Sequence, residues 1–230
     1  MSNFGMILEN HKTKYTKMDI ILNNVMPIPL ASIQHGDDSI WGNFIELKAS
    51  KHILLNASSG KGKSTFTMAV IGLRKDYDGI ISFDGKNIKN YSSMDWTRIR
   101  QNKISVIYQD LQLFPNLSVA ENLILKNSLT DVFSENEMLQ MLEELEIDNK
   151  WQQKCGLLSM GQQQRVAIVR AMLQPFEWLI MDEPFSHLDI ENAKKSMDMI
   201  DARCKDLNAG FVLTTLGDSH GYKYDQELKL

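Results

Sequence analysis

The sequence predicts an α/β fold, in which a sheet carries helices on both of its faces. Short apolar segments typical of buried strands alternate along the chain with longer segments of helical spacing. This strand–helix alternation is the pattern of a sheet that is covered by helices on both sides. With 230 residues, of which 43% are hydrophobic, the chain is long enough to form one domain with a substantial core.

The strands are predicted from period-two alternation or from a short continuous apolar run. In chain order they lie at residues 20–25, 39–47, 52–55, 79–83, 104–108, 178–181 and 211–215, with a last edge strand at 225–230. A polar connection that holds Arg98 and Arg100 separates two of them.

Helices are predicted where apolar residues recur at helical spacing. The first predicted helix begins at Ser64. The pattern is helical again over residues 118–153, where Ser118 is suited to cap one helix. Ser134, with Glu137 three residues later, has the spacing of a capping box. The full set of predicted helical segments is 64–73, 118–153, 161–173 and 190–205.

Charge and cysteine content narrow the class of protein. The formal net charge of −4 gives no basic footprint of the kind that nucleic-acid-binding proteins show. Cys155 and Cys204 are far apart and outside any metal-binding spacing, which favours two reduced cysteines over a disulfide.

Residues 1–17 have no apolar core suited to a secretory signal, and no stretch reaches the ~18 apolar residues of a membrane span. We therefore expect any membrane-crossing part to belong to another chain.

A turn rich in glycine and lysine follows the strand 52–55. Successive backbone N–H groups in such a turn, and the N-terminus of the helix behind it, bind phosphate oxygens. Lys63 would neutralise the terminal phosphates, and the Ser64 hydroxyl would ligate Mg²⁺. Ala57 replaces the first glycine of the usual pattern and therefore needs an ordinary backbone conformation there or accepts some strain. The predicted phosphate site consists of Ala57, Ser58, Ser59, Gly60, Lys61, Gly62, Lys63, Ser64 and Thr65.

Two acidic residues end the apolar strand 178–181. Asp182 is placed to hold Mg²⁺, usually through a water molecule. Glu183 follows directly and is placed to polarise an attacking water as a general base. A strand that ends in Asp-Glu is weak evidence alone, because buried strands often end in solvated acids. The acidic pair together with the upstream phosphate loop is strong evidence for a nucleotide site.

Residues 158–171 read Leu-Ser-Met-Gly-Gln-Gln-Gln-Arg-Val-Ala-Ile-Val-Arg-Ala. This segment closely resembles the signature of the ATP-binding cassette (ABC) family, from which it departs in its first five residues only at Met160. The resemblance implies a helix whose N-terminus holds the γ-phosphate of an ATP bound by another subunit. Ser159, Gly161 and Gln162 would carry that contact. A helix N-terminus with a free hydroxyl suits such a task.

Two flanking segments are similar to further elements of the family. Residues 105–109 and 113–122 resemble the glutamine loop and its continuation, which implies that Gln109 touches Mg²⁺ and the attacking water and senses a transporter partner. Residues 186–189 resemble the loop after the catalytic strand, which implies that Asp189 reaches across a dimer. The resemblance covers nearly all of the chain from about residue 19 onward.

The resemblance also implies an architecture. It is a P-loop NTPase (RecA-like) core with a small antiparallel β subdomain and an inserted helical signature subdomain. Residues 1–230 would form a single ABC ATPase domain. Its core would comprise residues 19–117 and 172–230, and its helical subdomain residues 118–171. The wording of the signature looks most like the subfamily that serves lipoprotein release, macrolide efflux and cell division.

Two positions depart from the family pattern downstream of these motifs. Leu216 or, with a one-residue shift, Gly217 stands where the family places a histidine that contacts the γ-phosphate. His220 lies a few residues further on as a displaced substitute or a solvated loop residue. No Phe, Tyr or Trp occurs near Ile33 to His35, where the family stacks an aromatic ring on adenine. His35 or Ile33 would pack there less tightly than such a ring, and Trp41 is too close to the next strand. Because leucine does not bind phosphate by hydrogen bonds, slow hydrolysis is one expectation.

The function implied by the resemblance is that of the ATP-binding and ATP-hydrolysing subunit of an ABC transporter. It would use ATP and Mg²⁺, form a homodimer or heterodimer, and drive a separate transmembrane permease subunit without binding nucleic acid. It would lie in the cytoplasm, peripheral on the cytoplasmic face of the cell membrane. The alternative is a weakly hydrolysing or non-hydrolysing regulatory or scaffold subunit, which Met160 and Leu216 favour and Glu183 opposes. A cassette acting on DNA or ribosomes would need a long coiled-coil insertion or a second cassette.

Overall fold

The computed structural model describes residues 18–230; residues 1–17, in which the sequence predicts no secretory signal, lie outside the described part. The strands are β1 (Ile20–Pro27), β2 (Phe44–Leu47), β3 (His52–Asn56), β4 (Tyr77–Phe83), β5 (Lys86–Asn87), β6 (Ile104–Ile107), β7 (Trp178–Asp182), β8 (Gly210–Thr215) and β9 (Gln226–Lys229). The α-helices are α1 (Lys63–Val70), α2 (Ser93–Asn102), α3 (Val119–Asn127), α4 (Glu135–Glu144), α5 (Met160–Met172) and α6 (Ile190–Leu207).

A parallel sheet with strand order β6-β7-β8-β3-β9 forms the centre of the molecule. All residues of β7 and β8 are buried, as expected for parallel strands that are covered on both faces. Strand β9 lies at the edge of this sheet, which confirms the predicted C-terminal edge strand. Because the strands are parallel, the loops that follow β3, β6, β7 and β8 emerge at one edge.

The two faces of the parallel sheet pack into two separate apolar cores. Leu54 of β3 points into a core that includes Val166 of α5 and Ile200 of α6. Its neighbour Ile53 points into the other core, which includes Phe66 of α1 and residues of the antiparallel sheet. The alternation of side chains along a strand accounts for this division. Helices on both faces of an α/β sheet are therefore confirmed.

A smaller antiparallel sheet with strand order β2-β1-β4-β5 lies against the second core. Strands β1 and β4 pair in register from Ile20 to Asn23, and the register shifts between Asn23 and Met26. Such a bulge bends the strand and increases its twist. This sheet is the predicted antiparallel β subdomain.

The helix caps follow the sequence signals closely. Ser118 and Ser134 each accept a hydrogen bond from the backbone N–H three residues later and form capping boxes with Glu121 and Glu137. A capping box satisfies two of the backbone donors that a helix start leaves free. The helical prediction for residues 118–153 is confirmed for the two helices α3 and α4; after Glu144 the segment contains only a short 3-10 helix, Asp148–Lys150. The proposed bounds of the helical subdomain, 118–171, remain a prediction.

Two predicted segments differ from the structure. The strand predicted at residues 39–47 begins only at Phe44, because Gly42 adopts φ +79° and turns the chain before it pairs with β1. The polar connection that holds Arg98 and Arg100 is helix α2, whose capping box joins Ser92 and Asp95. Its few apolar residues are enough, since Trp96 and Ile99 lie one turn apart and are buried.

None of the helices within residues 18–230 combines the length and the apolar character that a membrane crossing requires.

Gly79 and Gly85 provide a matched test of the antiparallel sheet. Both adopt the left-handed conformation, at φ +81° and φ +78°. A Cβ on Gly79 would lie 2.2 Å from the Asn24 carbonyl oxygen, whereas one on Gly85 would meet nothing within 4 Å. We predict that Gly85→Ala lowers the free energy of unfolding by about 1–2 kcal/mol and that Gly79→Ala lowers it distinctly more. Urea unfolding measures both, and equal losses would show that the sheet absorbs the clash.

Candidate functional site

The loop between β3 and α1 has the shape of a phosphate cradle. Gly60 and Gly62 adopt φ +78° and φ +106°, and α1 begins directly afterwards. A Cβ on Gly62 would lie 2.5 Å from Leu30 Cδ1 and 3.3 Å from Trp41 Nε1, so both the conformation and the space require glycine. Ala57 does not have a positive φ, which confirms that its backbone conformation is an ordinary one. The Ala57 N–H donates to the Thr215 carbonyl at 3.1 Å.

Trp41 packs against the phosphate loop and forms a hydrogen bond with its backbone. Its side chain is 3% exposed and its indole N–H donates to the Lys61 carbonyl at 3.2 Å. It is therefore committed to the loop and is not free to stack on a base, in agreement with the sequence prediction. Ile33 is 36% exposed, and His35 Nε2 lies 3.0 Å from the Leu30 carbonyl. The sequence carried no signal for the Trp41–Lys61 contact, because twenty residues separate the two.

Lys63 and Glu183 form an ion pair at the centre of the site. Lys63 Nζ lies 3.1 Å from Glu183 Oε1, and both side chains are largely buried. The same ammonium group donates to the carbonyls of Ala57 at 3.3 Å and Ser58 at 3.4 Å. Glu183 adopts φ +50°, an uncommon conformation for a residue other than glycine. The predicted phosphate-binding cation and the predicted base thus neutralise each other.

Asp182 is oriented by a threonine of the neighbouring strand. It is 3% exposed, and its Oδ1 accepts a hydrogen bond from Thr214 Oγ1 at 2.8 Å. The register explains the contact, since Asp182 pairs with Thr214 between β7 and β8. A hydroxyl that bonds one carboxylate oxygen fixes the direction of the other. Thr214 belongs to the site, although its sequence context gave no sign of this role.

The residues predicted to bind Mg²⁺ provide suitable donors. Ser64 Oγ lies 3.4 Å from Gln109 Oε1, which brings the phosphate loop and the loop after β6 together. The site therefore offers a hydroxyl, an amide oxygen and the carboxylate of Asp182. Mg²⁺ prefers oxygen donors and is commonly held by few protein groups together with substrate phosphates. The residues present fit a Mg²⁺–nucleotide complex.

The signature segment forms the N-terminus of α5. Ser159 Oγ accepts from the Gln162 N–H at 3.3 Å, and Gln162 Oε1 accepts from the Ser159 N–H at 3.0 Å. A Cβ on Gly161 would lie 2.8 Å from the His187 carbonyl oxygen, so glycine is required at this close contact. Met160 is 46% exposed. Within residues 18–230, no described hydrogen bond or ion pair joins this segment to the phosphate loop.

Gln164 connects the signature helix to the loop after β7. Its Nε2 donates to Ser186 Oγ at 2.9 Å, and its Oε1 accepts from the His187 N–H at 2.9 Å. Asp189 ends that loop as the N-cap of α6 and accepts from the Asn192 N–H at 2.8 Å. That hydrogen bond is the main reason why the pKa of Asp189 lies below its ordinary value. Gln164 is a positioning residue that the sequence pattern alone did not reveal.

Leu216 and His220 border one cavity with Glu183. The cavity has a volume of about 340 Å³. Leu216 directly follows β8 and is 61% exposed. The His220 ring packs edge-on against Phe185 with 4.9 Å between ring centroids, and burial lowers the pKa of its imidazole. His220 is therefore half-buried against the loop after β7 and is not a freely solvated residue.

These features define a class of protein: an α/β nucleotide-binding protein with a phosphate loop and an acidic pair at the carboxyl edge of a parallel sheet. Residues 44–186 match the family model described as ABC transporter. The chain belongs to this family and is an ATP-binding cassette.

Individual relatives agree with this assignment. The lipoprotein-releasing system ATP-binding protein LolD of Buchnera aphidicola subsp. Schizaphis graminum is 34% identical over 180 residues, which are 75% of this chain and 78% of LolD. The Fe(3+) ions import ATP-binding protein FbpC of Vibrio cholerae is 32% identical over 190 residues, which are 80% of this chain and 51% of FbpC. The dimeric structure of the bacterial ABC transporter cassette MJ0796 is 25% identical, with a TM-score of 0.76, and covers 91% of this chain and 94% of its own. This likeness supports the P-loop NTPase fold.

Thr214 allows the geometry of the metal site to be tested. We predict that Thr214→Val lowers the affinity for Mg²⁺ in the presence of ATP about 10- to 100-fold, because Asp182 loses the hydroxyl that orients it. Thr214→Ser keeps the hydroxyl and is expected to remain near the wild-type affinity. Mg²⁺ titration of nucleotide binding measures both variants. Equal affinities for the Val and Ser variants would show that the Thr214 hydroxyl does not orient Asp182 for the metal.

Proposed function

We propose that the chain binds and hydrolyses ATP at this site and thereby energises a separate membrane subunit. The observation that carries the proposal is the Lys63–Glu183 ion pair, at 3.1 Å between Nζ and Oε1. This ion pair places the phosphate-binding cation next to the general base at the carboxyl edge of the parallel sheet. Ser64, Gln109 and Asp182 supply the oxygen donors beside it.

ATP binding would begin with an exchange of partners at Lys63. The phosphate loop 57–65 offers backbone N–H groups and the N-terminus of α1 to the phosphates. A terminal phosphate carries more charge than the Glu183 carboxylate and would take over the ammonium group. The ion pair would therefore open when a phosphate replaces the carboxylate.

Glu183 would then act on water. Released from Lys63, its carboxylate becomes a free acceptor that takes the proton of a water aligned with the γ-phosphate. Gln109 would orient that water, because its amide already lies beside Ser64. Bound Mg²⁺, held by Ser64, Gln109 and Asp182, would neutralise the developing phosphate charge.

A second cassette would complete the nucleotide site. Ser159, Gly161 and Gln162 form the start of α5, and within residues 18–230 no described hydrogen bond joins them to the phosphate loop of their own chain. A helix N-terminus binds anions, which supports a contact with ATP held by another copy or a related subunit. Asp189 would reach across the same interface. The similar cassette MJ0796 is dimeric in its solved structure, which supports this arrangement.

We further propose that the chain works on the cytoplasmic face of the cell membrane, with residues 118–171 as the helical subdomain and with a permease as its partner. The relatives LolD and FbpC belong to a lipoprotein-releasing system and an Fe(3+) import system, which supports a transporter subunit and does not favour one direction of transport. A non-hydrolysing regulatory subunit is the second candidate. The exposed Leu216 favours it, and the paired, buried Glu183 favours hydrolysis.

The base assignment is tested with Glu183→Gln. The amide has nearly the same shape but does not accept a proton from water, so we expect turnover to fall at least about 100-fold while ATP still binds. ATPase and nucleotide-binding assays of the purified chain measure the two effects. Glu191→Gln, at an exposed position of α6, serves as the control and is expected to hydrolyse ATP at the wild-type rate. Wild-type turnover in Glu183→Gln would remove Glu183 as the base.

Leu216→His tests whether the replaced histidine limits the rate. The position is exposed and borders the cavity that Glu183 lines, so an imidazole there is expected to bind the γ-phosphate and to raise kcat several-fold. Leu216→Gln, which also adds hydrogen-bonding groups, separates a phosphate contact from a proton-dependent one through the pH profile of kcat. An unchanged kcat in both variants would show that another group already fills this role.

A further inference from the structure

Two neighbouring residues of the signature helix α5 hold the loop between β7 and α6. Gln164 binds residues 186–187 of this loop through two hydrogen bonds, at 2.9 Å each. Arg165, the next residue of α5, lies near the end of the loop, where Asp189 caps α6. Asn192 stands between the two, because its Oδ1 accepts from Arg165 Nη1 at 3.1 Å and its Nδ2 donates to the Asp189 carboxylate. Asp189 is thus tied to α5 through one intermediate residue.

Asn192 binds the carboxylate of Asp189 with three hydrogen bonds. Its backbone N–H donates to Oδ1 at 2.8 Å, and its side-chain Nδ2 donates to Oδ1 at 3.0 Å and to Oδ2 at 2.9 Å. A carboxylate accepts about four hydrogen bonds, two at each oxygen. Oδ1 is therefore fully used, and Oδ2 keeps one acceptor position for a group outside the chain. The side chain of Asp189 is exposed, so this position is accessible.

The orientation of the Asn192 amide follows from its two neighbours. A guanidinium only donates hydrogen bonds, and a carboxylate only accepts them. The amide oxygen must therefore face Arg165 and the amide nitrogen must face Asp189, which is the arrangement observed. An aspartate at position 192 would satisfy only the arginine, and a leucine would satisfy neither neighbour.

Arg165 is anchored independently of Asn192. Its Nη1 also donates to the carbonyl of Leu145, at 2.7 Å, where α4 ends. The backbone N–H and the side chain of Asn192, and then the charge of Arg165, hold the pKa of Asp189 below its ordinary value. The carboxylate is thus kept anionic and points in one direction.

The direction of this carboxylate matters at the interface with a second cassette. Asp189 would approach a nucleotide site there whose phosphates carry negative charge. A carboxylate close to phosphates is repelled unless it points at a hydrogen-bond donor. A side chain that is fixed in advance also loses less conformational entropy on association. The contacts of Asn192 meet both requirements before a partner arrives.

We propose that Asn192 and Arg165 are positioning residues that aim the carboxylate of Asp189 at the nucleotide site of a second copy of this chain. The proposal rests on the proposed function, in which a second cassette completes that site. It adds the two residues that make Asp189 competent for the contact and the oxygen, Oδ2, that is left to make it.

Asn192→Asp separates this role from folding. The new carboxylate still accepts from Arg165 but repels Asp189, and an acidic residue is favourable in the first turn of a helix. We therefore expect an unchanged thermal midpoint and an unchanged ATP affinity of the single chain. ATP-dependent dimerisation is expected to weaken at least about tenfold, because like charges oppose each other where the contact is prepared. It is measured by analytical ultracentrifugation with Glu183→Gln as the parent, in which turnover is expected to be low.

Two further variants control for charge and for size. Lys194→Gln changes the net charge in the same direction and by the same amount, at an exposed position of α6. It is expected to dimerise like the parent. Asn192→Leu has a similar volume and removes both hydrogen-bonding ends without adding charge, so we expect a smaller loss than with Asn192→Asp.

The outcomes distinguish this proposal from the proposed function. Dimerisation of Asn192→Asp that equals that of Lys194→Gln would overturn the proposal. A lower thermal midpoint, or a lower ATP affinity of the single chain, would also overturn it, since the residue would then act on folding or on its own site. If the parent does not associate with ATP, a second copy is not the partner and the proposal fails. The proposed ATP hydrolysis is judged separately, by the turnover of the wild-type chain.

Discussion

The parallel register of β3, β8 and β7 is the constraint on which the site depends. Asn56 lies opposite Thr215, and Thr214 lies opposite Asp182, so the ends of three strands from distant parts of the sequence meet along one edge. The phosphate loop follows the end of β3, the acidic pair lies at the end of β7, and Leu216 follows the end of β8. Because each strand pair is fixed by backbone hydrogen bonds and buried on both faces, the side chains at the edge have little freedom. The ion pair of Lys63 and Glu183 and the hydrogen bond of Thr214 with Asp182 both follow from this register.

The features that could be predicted from sequence are those with a local signal. The phosphate loop, the signature helix and the caps at Ser118 and Ser134 depend on residues within a few positions of one another. Helix α2 has such a signal as well, since Ser92 and Asp95 form a capping box, although most of its residues are polar. The strand predicted at 39–47 was too long because one glycine conformation, at Gly42, decides where pairing begins.

Contacts across long sequence separations could not be predicted. Trp41 supports the phosphate loop from twenty residues away, and Thr214 orients an aspartate thirty-two residues earlier. Such contacts depend on the strand order and register, which cannot be read directly from a single sequence. Arg100, Lys126 and Arg170 are a further example, because they line one cavity although they belong to three separate helices. Each of them looks like a solvated surface charge when the sequence is read by itself.

The buried charges of this chain therefore fall into two kinds. At the nucleotide site, Lys63 and Glu183 compensate each other. Lys126 and Arg170 have neutral hydrogen-bond partners instead: Lys126 donates to the side-chain oxygen of Gln174, and Arg170 donates to the carbonyls of Leu111 and Gln112. Arg170 thereby holds the loop that begins at Gln109, whose side-chain oxygen lies 3.4 Å from Ser64 Oγ. A buried cation that is bound to backbone carbonyls thus fixes a loop that carries one group of the nucleotide site.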